Sequence, residues 1–176
     1  MTPKLRRRWQ VGLGTAVLAG LALAAGLAYF QPQKLFINQR VDEAIPAATT
    51  TPAQAGQASP GAQPETVLSR SALQSLEHQS SGTVIVLAVA GGGRILRLEN
   101  LATSNGPDLR VYLSTTPASS DWHGYDRDYV DLGALKGNLG NQNYALPDGV
   151  NLARYRSAVI WCRQFHVGFA VAALTG

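Results

Sequence analysis

The chain has very little sulfur: Cys162 is the only cysteine among its 176 residues, and Met1 is the only methionine. One cysteine excludes an intramolecular disulfide, so the fold must be held by a hydrophobic core. It also excludes the C-x-x-C motif of dithiol enzymes and the C-x-x-C-H motif of covalently bound haem. The lack of an internal methionine excludes an axial methionine ligand. No serine–histidine–aspartate set or paired-acid motif is recognisable, so the sequence does not predict a hydrolase.

The chain also has almost no excess of positive or negative charge outside its N-terminus. The formal net charge of +4 is matched by four cations near the start of the chain, Lys4, Arg6, Arg7 and Arg8. From Val67 onward there are nine Lys or Arg against eight Asp or Glu, a net charge of +1. A nearly neutral domain lacks the basic surface that nucleic-acid binding requires, so no nucleic-acid partner is predicted.

Residues 11–30 form a run without charge that is rich in Ala, Leu and Gly. A helix of this length spans about 30 Å, the hydrocarbon thickness of a bilayer. Because basic residues stay on the cytoplasmic side, residues 1–10 are predicted to be cytoplasmic and 11–30 a single-pass transmembrane signal anchor. The rest of the chain is then extracytoplasmic at the cell membrane. Two other interpretations stay open: a signal peptide cleaved near Ala22-Leu23-Ala24, or a twin-arginine export signal around Arg6-Arg7-Arg8-Trp9.

Residues 31–66 are predicted to be a flexible linker. Residues 44–65 consist mainly of Ala, Thr, Pro, Gln, Gly and Ser and contain no aromatic residue. Such a composition cannot bury enough apolar surface to order the chain. As a random coil, this tether would hold the next domain about 25 Å from the membrane. Residues 31–43 are predicted to extend the membrane helix by a turn or two or to lie at the interface, and 66–78 to form a short helix or an extended lead-in.

Short strand-like runs follow one another through the domain predicted for residues 67–176. β-Branched and apolar residues dominate these runs, and Gly, Pro, Asn and Asp separate them. This pattern is typical of an antiparallel β-sandwich, here of about seven to eight strands, so the predicted fold class is all-β. The predicted strands cover residues 83–90, 94–99, 109–114, 129–132, 142–146, 157–162 and 166–174.

Three blocks of residues resemble the DM-thirteen domain family. They occur in the family's order and together extend over residues 82–174. The blocks are Asn105-Gly106-Pro107-Asp108-Leu109 with Val111-Tyr112-Leu113-Ser114; Leu132-Gly133, Leu135-Lys136-Gly137-Asn138-x-Gly140 and Tyr144; and Ser157-x-Val159-Ile160-Trp161-Cys162-x-x-Phe165 with Phe169 and Ala170.

The resemblance implies a β-sandwich related to the DOMON group of cytochrome-like and sugar-binding domains. It also implies a role in electron transfer outside the cytoplasm, with Cys162 at the position of the family's characteristic cysteine. The predicted function is therefore a membrane-anchored extracytoplasmic redox or electron-transfer domain that acts through Cys162. The membrane is its partner through the N-terminal helix, and its redox or protein partner is unidentified.

Cys162 is the candidate catalytic residue. A lone thiol can cycle through sulfenic acid or a mixed disulfide, pair with a second chain, or ligate a metal or haem. Arg163 beside it would favour the thiolate, and a tight hairpin would bring His166 near enough to serve as a second cofactor ligand. Two ligands do not define a closed metal site, so the metal and the cofactor stay open. The competing interpretation makes Cys162 a small buried packing residue and His166 a half-exposed surface residue.

The alternative function is a non-catalytic binding module for a sugar, peptide or protein. Trp122, Tyr125 and Tyr129 lie in or beside a polar loop that would offer stacking surfaces, because loops on a sandwich commonly carry binding sites. The acidic residues of this loop are a candidate calcium site, although their spacing lacks the alternation of a calcium loop. Trp161 should point to the strand face opposite Cys162, where it packs in the core or relays an electron.

The mature N-terminus distinguishes an anchor from a cleaved signal. Mass spectrometry of the protein purified from membranes should find the chain intact at its N-terminus, because the apolar run is longer than the roughly 7–15 residues of a signal-peptide core. A chain that begins after residue 24 would contradict the anchor.

Overall fold

The computed structural model describes residues 17–26, 29, 37–46, 66–89 and 92–174. Within these residues the regular structure is β, apart from helical residues 17–26 and 29 and a 3-10 turn at Leu152–Arg154. The strands are β1 Arg40–Asp42, β2 Thr66–Ala72, β3 Gln74–Ser75, β4 Ser81–Ala88, β5 Arg94–Ala102, β6 Leu109–Ser114, β7 Tyr129–Ala134, β8 Leu139–Leu146, β9 Ser157–Cys162 and β10 Val167–Ala173.

The strands form two five-stranded sheets packed as a sandwich. The strand order is β1-β8-β5-β4-β2 in sheet A and β3-β10-β9-β6-β7 in sheet B. Every neighbouring pair among the described strands is antiparallel except β1 and β8, which are parallel. The predicted all-β sandwich is confirmed, with ten strands instead of seven to eight. Residues 66–78 are extended and contain β2 and β3, so the helical alternative for this lead-in is wrong.

The main core lies between the two sheets, and the strands present alternate residues to it. On β4, Val84 and Val86 belong to this core, while Ile85 and Leu87 belong to a smaller cluster with Ile95. Successive side chains of a strand point to opposite faces, so both faces of β4 are covered. A strand covered on both faces has a nearly continuous apolar sequence, which is how β4, β9 and β10 read.

A long loop, residues 115–128, covers the outer face of sheet B. Tyr125 is completely buried in it. The Tyr125 hydroxyl accepts a hydrogen bond from the N–H of Ser119 at 2.9 Å and lies 3.2 Å from the carbonyl oxygen of Pro117, to which it donates. Trp122 packs half-buried against the same cluster. The loop therefore brings its own aromatic residues to a second, smaller core.

Residues 37–46, which we call the arm, run along the edge of β8. Within the arm, β1 pairs in parallel with residues 139–141 of β8. The prediction of a flexible linker over residues 31–66 therefore does not hold for the arm. The remaining parts of that range, 31–36 and 47–65, lie outside the described residues.

The arm fits closely because the edge that receives it carries two glycines. A Cβ on Gly137 would collide with the carbonyl oxygen of Gln39, and one on Gly140 with the carbonyl oxygen of Val41. Asn138, between them, accepts a hydrogen bond on Oδ1 from the N–H of Gln39 at 2.7 Å. The groove is thus shaped for an extended backbone, which the composition of the arm does not reveal.

Glu43 fastens the far end of the arm. Its carboxylate accepts hydrogen bonds from Nζ of Lys136 at 2.7 and 2.9 Å and from the N–H of Asn143 at 2.8 Å. Its main-chain carbonyl accepts one from Nη1 of Arg97 at 2.9 Å. Burial opposes ionisation of Glu43, but these hydrogen bonds and the charges of Lys136 and Arg97 outweigh it and lower the pKa of Glu43 below its usual 4.5.

The predicted transmembrane anchor, residues 11–30, lies partly outside the described residues. Residues 17–26 are helical, and the apolar side chains Val17, Leu18, Leu21 and Leu23 are exposed. Within the part of the chain that the structure describes, no helix is both long enough and apolar enough to cross a membrane.

Replacing Glu43 with Gln should loosen the arm at neutral pH. A carboxyl whose folded-state pKa is lowered contributes stability that is present above its unfolded pKa, near 4.5, and is lost as the pH falls through the folded-state pKa. We expect a loss of about 1 kcal/mol at neutral pH, which makes hydrogen exchange of the arm's amides about fivefold faster. In strong acid the variant and the wild type should exchange alike.

Asp148→Asn is the matched control, because it removes an equal charge from an exposed residue in the turn after β8. It should leave exchange in the arm unchanged. Equal exchange rates for Glu43→Gln and wild type at neutral pH would show that Glu43 does not hold the arm.

Candidate functional site

Cys162 ends β9, the central strand of sheet B, with its side chain toward the main core. β9 pairs with β10 on one side and β6 on the other, and the residues opposite Cys162 are Val167 and Leu109. The exposed fraction of Cys162 is 0 %, and it belongs to the cluster between the sheets. In the folded chain the thiol is therefore sealed among apolar side chains.

The two residues expected to modify the thiol point elsewhere. Arg163 donates from Nε to Oδ2 of Asp108 at 2.7 Å, and this hydrogen-bonded ion pair raises the pKa of the guanidinium. His166 is exposed, and its Nδ1 lies 3.2 Å from Oδ2 of Asp126. Residues 163–166 form the turn between β9 and β10, so Val167 and not His166 stands opposite the cysteine. The structure brings neither Arg163 nor His166 to Cys162.

The surroundings of Cys162 do not fit a haem or a metal ion. A ligated thiolate needs further ligands and open space beside the sulfur. Here the neighbours of the thiol are the apolar side chains of the main core. Among the described residues, no three His, Cys, Asp or Glu side chains come together as a metal site. The cofactor and ligand roles of Cys162 and His166 stay predictions.

Four aromatic side chains form a row across sheet B, on the face opposite Cys162. The ring centroids of Trp122 and Trp161 are 6.2 Å apart, those of Trp161 and Tyr112 6.5 Å, and those of Tyr112 and Tyr129 4.2 Å. The two longer separations are typical of aromatic rings in contact, and the shortest is a close stack with an angle of 22° between the ring planes. We call these four residues the aromatic row.

The strand order of sheet B places the rings side by side. Trp161 lies on β9, Tyr112 on β6 and Tyr129 on β7, which are consecutive neighbours in the sheet. Trp122 joins the row from the loop above β10, where Gly168 leaves room for it. A Cβ on Gly168 would lie 2.9 Å from the Cβ of Trp122. The prediction that Trp161 points away from Cys162 is confirmed, since the two side chains belong to different clusters.

The middle of the row is sealed, and both of its ends reach the surface. Trp161 and Tyr112 are 2 % and 1 % exposed, whereas Tyr129 is 40 % exposed. Trp122, at the other end, is half-buried. The row therefore connects two separate surface positions through the interior of the domain.

Polar and aromatic partners hold both ends of the row. Trp122 donates from Nε1 to Oε1 of Glu77 at 2.7 Å, and its ring stacks on that of His123 at 4.1 Å. Tyr129, at the other end, stacks on Tyr112; burial raises the pKa of Tyr112, and the nearby Tyr129 raises it further. The hydroxyl of Tyr112 therefore stays protonated at neutral pH.

The acidic side chains in and beside the loop do not assemble into the candidate calcium site. Each one contacts a different basic or imidazole side chain. The pairs are Asp121 with His123, Asp126 with His166, Asp128 with Arg154 and Asp131 with Arg110.

The fold and the site together define an all-β sandwich domain with one sealed cysteine and a row of aromatic side chains on the other face of the same strand. Residues 72–174 match the family described as Electron transfer DM13. The match covers more than half of the chain, so the chain belongs to the electron-transfer DM13 family, and the resemblance carried by the three sequence blocks is confirmed. The searches of curated proteins and of solved structures found no match.

Sequence reasoning missed the contact between Trp122 and the row, and it missed Glu77. Gly168 could have indicated the position of Trp122, because a glycine inside an apolar strand often marks the close approach of another group. Glu77 and Trp122 are 45 residues apart in the chain. No local pattern connects them, so only the fold reveals the hydrogen bond.

Cys162 should be unreactive toward a small thiol reagent until the protein is denatured, because its thiol is sealed in the core. Cys162→Ala should lower the free energy of unfolding in urea by about 1–2 kcal/mol, as a small core truncation does. A cysteine introduced at the exposed Ser120 is the positive control and should react at once. Rapid labelling of Cys162 in the native protein would contradict the sealed site.

Proposed function

We propose that this chain is a membrane-anchored, extracytoplasmic electron-transfer domain in which electrons pass along the aromatic row. The observation that carries the proposal is the row itself, four rings in contact that lead from one surface position to another through a sealed middle. Indole and phenol rings are among the few side chains that give up one electron without a cofactor. Membership of the electron-transfer DM13 family supports the redox class.

The proposed transfer is a one-electron exchange with two partner redox centres. An oxidised partner centre takes one electron from Trp122, which is refilled from Trp161. Trp161 is refilled from the stacked pair Tyr112 and Tyr129, whose hydroxyls share a hydrogen bond, so the proton lost with the electron leaves the pair through Tyr129. Tyr129 is partly exposed, so it releases its phenolic proton to water as it loses the electron. A reduced partner centre then returns one electron to Tyr129, which takes up a proton again. Electrons and protons therefore balance over one cycle.

The cover over the row supports this function. A transient radical on Trp161 or Tyr112 is kept from solutes, because both residues are nearly inaccessible. Exclusion of water from a reacting group prevents side reactions. Loop 115–128 supplies the cover, and the hydrogen bonds of Tyr125 to that loop's own backbone hold it closed.

The membrane anchor in this proposal rests on the N-terminal apolar run. The described part of the run is helical and exposes its leucines. A continuous apolar surface of this kind is unfavourable in water and favourable in lipid. We place residues 11–30 across the cell membrane, residues 1–10 in the cytoplasm, and the domain of residues 67–176 outside.

A second version of the proposal makes Cys162 the reactive group, as its position in the family's closing block implies. Thiol chemistry requires the sulfur to meet its reaction partner, and in the folded chain the sulfur is sealed. The aromatic row works without the thiol, whereas the single-cysteine mechanism does not. We prefer the row for this reason, and the Cys162→Ala variant separates the two versions.

A binding module is the second candidate function, and one cleft favours it. The cleft has a volume of about 650 Å³ and is lined by neutral side chains, most of them polar. Neutral hydroxyl and amide groups can both donate and accept hydrogen bonds, as the hydroxyls of a sugar and the backbone of a peptide also do. The lining residues are Asn38, Ser75, Gln79, Ser80, Ser81, Ala102, Thr103, Ser104 and Asn105.

Flash photolysis tests the aromatic row directly. A ruthenium photosensitiser is attached at Ser120→Cys, two residues from Trp122, and a soluble electron acceptor converts it to a one-electron oxidant after the flash. The experiment uses a Tyr125→Phe background, because the hydroxyl of Tyr125 lies beside Ser119 and could be oxidised directly. We expect a tyrosyl radical to form, detected by transient absorption and electron paramagnetic resonance. Trp161→Phe leaves both row tyrosines in place but interrupts the row, so the tyrosyl yield should fall severalfold and the radical should stay on Trp122.

Two variants control for general effects on the fold. Tyr144→Phe changes a buried tyrosine of the main core, outside the row, and should leave the tyrosyl yield unchanged. Cys162→Ala should leave it unchanged as well. An undiminished tyrosyl yield in folded Trp161→Phe would overturn the row as the route, and loss of the yield in folded Cys162→Ala would favour the single-cysteine version.

A further inference from the structure

One end of the sandwich is formed by residues 104–108 and 163–166, which we call the arm-side end. We propose that the arm-side end faces the outer surface of the membrane and that Phe165 contacts the lipid there. The inference rests on the membrane anchor of the proposed function, but it does not depend on the aromatic row.

The arm meets the sandwich at this end. Nδ2 of Asn105 donates a hydrogen bond to the carbonyl oxygen of Ile37 at 2.9 Å. Ile37 and Pro107 line the same cleft, which has a volume of about 190 Å³. From there β1 runs parallel to β8, away from the arm-side end. A chain that comes from the anchor therefore reaches the domain beside residues 104–108.

The covalent length of the chain keeps this end near the anchor. Residues 31–36 separate the apolar run from Ile37, and a fully extended chain over this distance spans at most about 25 Å. By comparison, a random coil with the length of residues 31–65 has an average end-to-end distance of about 30–35 Å and a far larger maximum. Docking of the arm therefore shortens the connection and restricts how the domain can turn relative to the membrane.

Tyr29, near the end of the apolar run, contributes to the same surface. A shallow cleft is lined by Tyr29, Pro107, Asp108, Arg163 and Gln164. Within it, Arg163 binds Asp108 twice, through the side-chain ion pair at 2.7 Å and through its N–H, which donates to the carbonyl oxygen of Asp108 at 3.0 Å. The two loops of the arm-side end therefore form one surface, and this observation does not depend on the arm.

Phe165 gives the arm-side end an aromatic side chain that the sandwich does not bury. It is 59 % exposed in the turn between β9 and β10. Exposed aromatic rings are favoured at the interface between lipid and water. In the same turn Arg163 pairs with Asp108, and His166, next to Phe165, contacts the carboxylate of Asp126.

Depth-dependent quenching tests the orientation on the full chain in vesicles of phosphatidylcholine and phosphatidylglycerol. A fluorescent dye is attached at Phe165→Cys or, as the far-end control, at Gly149→Cys, where an added Cβ meets nothing within 4 Å. The eight residues of β8 separate the two ends by about 26 Å. We expect nitroxide-labelled lipids to quench the dye at residue 165 and to leave the dye at residue 149 at background. Wild-type chain treated with the dye measures labelling of the sealed Cys162.

Release of the arm provides the second measurement. Gly140→Val, which places side chain where the carbonyl oxygen of Val41 lies, should lower quenching at residue 165 toward the value at residue 149. Glu43→Gln should lower it less, and serves where Gly140→Val does not fold. Gly149→Ala, a glycine change that touches neither the arm nor the arm-side end, should leave it unchanged.

Flotation with the vesicles is measured on the same samples and separates the two ways in which the inference can fail. A chain that floats but shows equal quenching at both positions, or stronger quenching at residue 149, overturns the orientation and leaves the anchor standing. A chain that does not float overturns the anchor and the orientation with it.

Discussion

The alternation of side chains along β9 is the constraint on which the site depends. β9 is the central strand of sheet B and is covered on both faces, by the main core and by loop 115–128. Successive side chains of a strand point to opposite faces, so the thiol of Cys162 and the indole of Trp161 cannot lie on the same face of the sheet. A slip of one residue would exchange them. Pairing with β6 on one side and β10 on the other fixes the register, and it sets Gly168 opposite Trp161, where space for Trp122 is needed.

The same constraint is our reason for preferring the aromatic row to the thiol in the proposed function. A thiolate at position 162 would be a charge among hydrocarbon side chains, and burial of an unpaired charge is strongly unfavourable. The one cation close in sequence, Arg163, is committed to Asp108 on the outside. The outer face of the strand has what the inner face lacks: oxidisable rings in contact, a cover against water, and two exits to the surface. Electron transfer in this domain is therefore easier to understand through Trp161 than through the neighbouring thiol.

The strands could be predicted from the sequence, because local periodicity and composition determine them. The contacts between residues that are distant in the chain could not. The runs that became β4, β5, β6, β8 and β9 were recognisable because apolar, β-branched residues follow one another between turn residues. The structure does not place His166 near Cys162, because a turn of four residues puts Val167 opposite the cysteine. The residue types do not reveal the length of that turn. The arm was read as linker because its hydrogen bonds come from backbone and from polar residues about a hundred positions away. Composition indicates whether a segment can bury apolar surface, whereas the arm is held mainly by hydrogen bonds.

The arm also gives a physical role to the family's middle block. Gly137 and Gly140 leave space for the arm's carbonyl groups, Asn138 binds its start and Lys136 binds Glu43 near its end. The match to the family begins at residue 72, so the groove lies inside the family's domain while the strand that fills it lies outside. Removing the arm would leave β8 as an open edge and would take from the buried Arg97 its hydrogen bond to the carbonyl of Glu43. The arm, although it lies outside the matched residues, therefore completes the edge of sheet A and the hydrogen bonds of a buried arginine inside the family's domain.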